Sequence, residues 1–338
     1  MKIKDKKKLA RVIATWVVTG IMLSVFILDI ITIALDNKYV SELNIKNEAF
    51  TQETGVDRIH FLNTANSDCI LIESNGHFAL VDSGEGNENP RRKTEYKGFE
   101  KEVLSYIKKV AADKNGMVTL DFIVATHMHY DHAGNFVAII NDNNIEIKKA
   151  YIKEYDEKTL KKLDDENWGN GDLYRNIINA LSNKSIPIES SIPSASFAFE
   201  DFTFLFVNTN PTEDYVDKGE NANSIGVKIT KGKKTAFLAA DITADTGAEE
   251  VCVDDIGDVD LLKIGHHGYF GSSSMNFLKV LKPEIAICTN YIGKIYPNVK
   301  WNLTMVAKAP IISTEHRNGI IATFTDTDEI VLTQNIMQ

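Results

Sequence analysis

The chain has 338 residues, 43% of them hydrophobic and 25% charged, with a formal net charge of −10. That balance is ordinary for a globular protein, and seven prolines without a low-complexity run exclude a disordered or collagen-like chain. So acidic a chain is also poorly suited to hold a long nucleic acid, because such binding rests on neutralising phosphates.

Residues 1–11 form a basic tail: Lys2, Lys4, Lys6, Lys7, Lys8 and Arg11 outweigh Asp5 by +5, which against −10 leaves −15 on the remainder. Val12–Leu35 is apolar apart from Asp29 and a few small polar residues, about enough to cross a hydrocarbon core of ~30 Å. The pattern predicts a single-pass transmembrane helix with the N-terminus cytoplasmic and the rest of the chain extracellular. The run is long for a signal peptide and no A-x-A-like site follows, so an uncleaved anchor in the cell membrane is expected. Asp36–Gly55 is polar and aperiodic, predicting a linker over residues 36–55 and a folded domain over 56–338.

Short apolar runs then alternate with helical spacing. Strands are predicted at Arg58–Leu62, Cys69–Ser74 and His77–Asp82, the last two joined at Asn75-Gly76, a strong hairpin signal. Phe99–Ala112 has helical spacing, and Asp121–Thr126 reads as a strand. Further strands are predicted at Phe202–Asn208, Ser224–Thr230, Thr235–Ala240, Leu261–Ile264 and Ile285–Thr289, with a helix around Met275–Leu281. Gly319–Phe324 and Glu329–Leu332 read as a closing hairpin. The order predicts an α/β architecture of two packed sheets with helices on both outer faces.

Thr126–Asn135 reads THMHYDHAGN and places His127, His129, Asp131 and His132 within six residues directly after a strand. Imidazole and carboxylate ligands are those that zinc or manganese accept. Residues i and i+2 of an extended strand end point the same way. His127 and His129 are therefore assigned to one ion, and Asp131 and His132, past the turn, to a second. Asp241, at the end of a strand, is the candidate bridge. His266-His267 follows another strand; adjacent side chains diverge, so one is expected to ligate metal and the other to face substrate. Asn221 and Asn223 lie where a further imidazole would be expected. Two divalent ions, zinc first and manganese second, would activate a water for phosphodiester cleavage. Tyr130 and Tyr269 flank the ligands and are candidates for cation–π contact with a quaternary ammonium group. Asp82 is read either as a residue that supports the metal ligands from behind or as a turn residue near the metals. Cys69, Cys252 and Cys288 have no C-x-x-C spacing and read as unpaired, with Cys69 and Cys288 behaving as small core hydrophobes.

The HxHxDH signature, a strand-ending Asp and HHG resemble the metallo-β-lactamase superfamily, with its αββα sandwich. Residues 67–86, 120–135, 220–242 and 259–269 and the terminal NGIIATFTDTDEIVL carry a closer likeness. They resemble the branch holding the C-terminal domains of ComEC-type competence proteins and the teichoic-acid phosphorylcholine esterase. The resemblance implies metal ligation by His127, His129, Asp131, His132 and Asp241, with His266 or His267. Asp131 and His266 are the candidate catalytic residues, and Asn221, Asn223, Tyr130 and Tyr269 the candidate substrate contacts. Tyr130 and Gly268 depart from the esterase pattern. Ile295-Tyr296-Pro297 stands where competence-type domains often carry Gly-His-Pro.

The expected function is a membrane-anchored, metal-dependent phosphodiesterase of the phosphorylcholine esterase type. Its expected substrate is a small phosphodiester or the end group of a cell-surface polymer. A competence-type extracellular nuclease and a lactone or thioester hydrolase are the alternatives, since one fold hosts many chemistries.

Overall fold

The structure, a computed structural model, describes residues 3–48, 50–87, 97–155, 168–210 and 218–337. Its β-branched and aromatic runs pair into two large sheets. The nine-stranded sheet has the order β1 (Ile45–Lys46), β18 (Ile330–Gln334), β17 (Ile320–Phe324), β2 (Asp57–Phe61), β3 (Cys69–Ser74), β4 (His77–Ser83), β6 (Phe122–Ala125), β8 (Ala150–Ile152), β9 (Ile188–Glu189). The seven-stranded sheet runs β10 (Phe197–Phe199), β11 (Phe202–Val207), β12 (Gly226–Lys231), β13 (Lys234–Leu238), β14 (Leu261–Lys263), β15 (Ile285–Cys288), β16 (Ile311–Ser313). A small ribbon pairs β5 (Val118–Leu120) with β7 (Ile145–Ile147). The hairpin between β3 and β4 turns at Asn75 (φ 49°) and Gly76 (φ 81°); positive φ at both positions is what a tight hairpin turn of this hand requires.

The two sheets bury a common core. Ile59, Ile70 and Val124 of one pack with Phe204, Val227 and Ile287 of the other. The outer face of the first sheet is covered by α2 (Glu100–Ala111), α3 (Tyr130–Ala133), α4 (Phe136–Asn141) and α5 (Asn170–Asn183). On the second lie α6 (Ala248–Ile256), α7 (Met275–Leu281) and α8 (Pro297–Trp301). The result is an αββα sandwich. α2 shows why such helices form: Val103, Tyr106, Ile107 and Val110 recur at helical spacing and are buried, while Glu100 and Lys108 sit at the ends that the helix dipole favours. β4 and β6 are parallel, as are β13 to β16. Their C-terminal ends all point to one edge of the sandwich, the position at which α/β sheets build ligand sites.

The N-terminal helix α1 (Ile3–Glu42) corrects one expectation. Part of the stretch predicted as a linker is helix, and Ile45–Lys46 then pairs with Leu332–Thr333. Asp36 is the reason: its Oδ1 accepts the Ile311 N–H (2.8 Å) on the edge strand β16, satisfying a backbone group that would otherwise face outward. Farther toward the N-terminus α1 leaves the domain, with Trp16 72% and Met22 69% exposed. It is long and apolar enough to cross a membrane.

Candidate metal centre

Strand β6 ends on Thr126, which is clamped from below. Asp82, at the end of β4, accepts the Thr126 N–H and hydroxyl, each at 2.8 Å, and its Oδ2 lies 2.7 Å from His132 Nδ1. Asp82 has φ 57°, a strained value for a non-glycine residue. These three bonds hold it there. Just beyond, Gly86 crosses Gly134 so closely that a Cβ on Gly86 would come within 2.2 Å of the Gly134 carbonyl oxygen. The loop after β4 therefore lies directly on the loop carrying the histidines.

Two clusters of donor atoms form on this base. In the first, His127 Nε2 is 3.1 Å from His129 Nδ1 and 3.7 Å from Asp241 Oδ2. In the second, His132 Nε2 is 3.2 Å from His267 Nε2 and 3.1 Å from Asp241 Oδ1. Asp131 Oδ2 lies 3.6 Å from His267 Nε2. Asp241 belongs to both clusters, one oxygen toward each.

The donor set fits divalent cations. Imidazole nitrogens face one another at about hydrogen-bond distance in both clusters. Asp131 Oδ1 and Asp241 Oδ1 are buried without a hydrogen-bond partner of proper geometry. Buried polar atoms are rarely left so, and converging nitrogen and carboxylate donors are the ligands of borderline metals. The far sides of the rings are fixed. His127 Nδ1 lies 3.1 Å from Thr126 Oγ1 and 3.3 Å from Ser224 Oγ, and His267 Nδ1 lies 3.1 Å from Thr289 Oγ1. Such outer contacts set which nitrogen faces a metal.

Electrostatics separate the histidines. Burial, reinforced by the neighbouring imidazoles, pushes His127 well below the usual imidazole range. Burial also opposes protonation of His132, but Asp241 and Asp82 outweigh it and raise its pKa. His267 is likewise pushed up to about 9, Asp241 and Asp68 overcoming burial. A cation binding there competes with protons.

The adjacent histidines diverge as expected. Both have left-handed backbone (φ 46° and 50°), which turns His267 into the interior and leaves His266 at the mouth with a 30% exposed side chain. His266 Nε2 is 3.2 Å from Asn221 Nδ2 and 3.8 Å from Asp241 Oδ2. Asn221 therefore reaches the mouth. Tyr269 stands over His266 with ring centroids 5.5 Å apart.

Two expected substrate contacts are placed elsewhere. Tyr130 is 6% exposed and packs into the core beneath the outer helices, because alternate residues of this loop point away from the histidines, Met128 among them. Asn223 is buried at 2%, its backbone carbonyl accepting from Lys153 Nζ.

Lys263, Asp68, Thr289 and Trp168 carried no sequence signal that singled them out. Lys263, fully buried on β14, forms an ion pair with Asp68 and donates to the Ala240 carbonyl at 2.9 Å. Asp68 Oδ1 in turn lies 3.3 Å from His267 Nδ1 and accepts the Thr289 hydroxyl. Asp68 thus stands behind the rings rather than among the inward-facing nitrogens. Trp168 stacks on His129 with centroids 4.9 Å apart.

Residues 62–207 match the family model described as the metallo-beta-lactamase superfamily. Over these residues the chain is similar to that superfamily, and proteins of that fold are usually metal-dependent hydrolases. Among curated proteins it is similar to Recombination protein 2 of Haemophilus influenzae (22% identity over 224 residues, 65% of this chain and 22% of that protein). It is also similar to ComE operon protein 3 of Bacillus subtilis (24% over 176 residues, 51% of this chain and 20% of that protein). The chain thus spans about a fifth of the length of these relatives. Among solved structures it resembles the metallo-beta-lactamase fold protein YhfI from Bacillus subtilis, with a TM-score of 0.50 and 13% identity, covering 80% of this chain and 100% of that one.

Proposed function

We propose that this chain is a membrane-anchored, two-metal phosphodiesterase that releases a small phosphorylated group from a diester or from the end of a cell-surface polymer. The observation that carries the reading is Asp241, whose two oxygens face two separate donor clusters. In this reading His127, His129 and Asp241 hold one ion, and Asp131, His132, His267 and Asp241 the other. Divalent ions, zinc first, supply an acidified water and charge neutralisation at the phosphoryl group when bound. His266, at the mouth with Asn221, is placed to contact the substrate and to protonate the departing oxygen. The basic tail assigns the N-terminus to the cytoplasm and the domain to the outside.

A second reading, cleavage of DNA, is favoured by the likeness to Recombination protein 2. The net charge of −10 weighs against a long DNA tract.

The test compares turnover of p-nitrophenyl phosphorylcholine, bis-p-nitrophenyl phosphate and single-stranded oligonucleotides by the purified chain, with and without chelator. Chelator-sensitive preference for the choline ester supports the esterase reading. Oligonucleotide cleavage alone replaces it with the second. Equal rates on the two nitrophenyl diesters keep a phosphodiesterase but remove the choline specificity.

A further inference from the structure

The apolar side chains of α1 are largely exposed as far as Ile31, Thr32 is 3% exposed, and Asp36, at 9%, is tied to β16. If α1 spans the bilayer, as the proposed function holds, the surface beside Thr32 lies at the membrane boundary. That surface is α8 and its flanks. Pro297, Asn298 and Trp301 line an apolar groove of about 740 Å³ against Met22, Phe26 and Thr32 of α1.

The composition there departs from the rest of the chain. Residues 291–308 contain Lys294, Lys300 and Lys308 and no Asp or Glu, in a protein of net charge −10. None of the three lysines makes an ion pair among the described residues. Glu85 and Glu315 are the acidic groups that share a cleft with Tyr291, Lys294 and Lys97. Aromatic side chains are presented outward: Tyr291 is 49% exposed, Tyr296 43% and neighbouring Phe270 63%. Lysines mixed with exposed aromatic rings are the composition of surfaces that lie in the headgroup region.

We propose that the Tyr291–Lys308 face docks on an anionic lipid bilayer and lays the mouth of the metal centre onto the leaflet from which α1 emerges. An anionic surface repels the acidic remainder of the domain and attracts this face, so the charge distribution selects the orientation. The face is also wired to the site. The Tyr296 N–H donates to the Gly268 carbonyl (2.9 Å) in the turn carrying His266 and His267. The Tyr296 ring lies 6.0 Å from Tyr269, which covers His266. A substrate held in the membrane surface, such as a lipid-linked phosphodiester, then meets the site without leaving the leaflet.

The three tryptophans, Trp16, Trp168 and Trp301, provide the test. The full chain is labelled with 5-fluorotryptophan and placed in bilayer nanodiscs containing an acyl-chain spin-labelled lipid. The fluorine-19 resonances report each position by paramagnetic broadening. The expected result is broadening of Trp16 and Trp301 but not Trp168 when phosphatidylglycerol is present. Broadening of Trp301 should fall in neutral nanodiscs and in the Lys294→Glu, Lys300→Glu, Lys308→Glu variant, with Trp16 unchanged. A Trp301 signal as sharp as that of Trp168 beside a broadened Trp16 overturns the docking while leaving the span intact. Equal broadening of Trp301 in neutral and anionic discs overturns the electrostatic basis. A sharp Trp16 removes the spanning helix itself, and the docking with it.

Discussion

Asp82 Oδ2 sits 2.7 Å from His132 Nδ1, on the side of the ring opposite Asp241. The contact fixes the His132 tautomer, so Nε2 presents its lone pair to the second cluster. Asp82→Asn retains a residue tolerant of positive φ and replaces a carboxylate by an amide. The expected outcome is a roughly 10–100-fold loss of metal affinity with the fold retained. Metal titration followed by calorimetry, with circular dichroism as the fold control, measures both; unchanged affinity counts against an orienting role.

The two adjacent histidines should separate experimentally. His267→Ala removes an inner donor from the second cluster, and elemental analysis should show the bound metal falling from two ions toward one. His266→Ala should keep both ions while turnover drops, since this side chain is at the mouth. Equal metal loss in both variants would sink the division of roles.

Lys263 and Asp68 are a pair with no solvent access. Removing one partner leaves a buried charge uncompensated, so Lys263→Met is expected to destabilise the domain by about 3–5 kcal/mol. Adding Asp68→Asn should recover part of that loss while leaving metal affinity impaired, because Asp68 also contacts His267. Urea denaturation of the single and double variants decides; additive losses would mean that the two residues act independently.

Glu249, on α6, is buried at 3% and accepts from the Ser274 N–H at 3.1 Å. Burial is the main cause that pushes its pKa up to about 7. Because the folded pKa exceeds the unfolded one, the folded state holds the proton longer. Stability should therefore fall as pH rises from about 4.5 to 7, by about 3 kcal/mol in all. Glu249→Gln should flatten this slope and raise the melting temperature at pH 8. Parallel pH profiles for both proteins would refute the assignment.

Much of the site is readable in the chain because its donors lie at strand ends. His127 to His132, Asp241 and His266-His267 each follow an apolar run, and the parallel strands bring those ends to one edge. The hairpin at Asn75-Gly76 is legible for a local reason, since two residues there fix the turn. Asp68 and Lys263 are not legible, because they meet across two sheets and nearly two hundred residues of sequence. Tyr130 misleads for the opposite reason: it neighbours the ligands in sequence, but the backbone aims it into the core. The helical course of residues 36–42 was hidden as well, since the Asp36 contact that secures it lies on β16.

The order of strands in the first sheet bears on how the protein is made. β2 is flanked on one side by β17, with Ala322 opposite Ile59. A ribosome delivers those partners long after β2 itself. Until the C-terminal hairpin arrives, β2 holds an open, sticky edge, and the sandwich cannot close in the order of synthesis. Docking of β1 beside β18 must wait for the same event. Pairings this distant in sequence fold slowly. In the proposed membrane-anchored form, a helix already seated in a bilayer would hold such an unfinished chain apart from its neighbours.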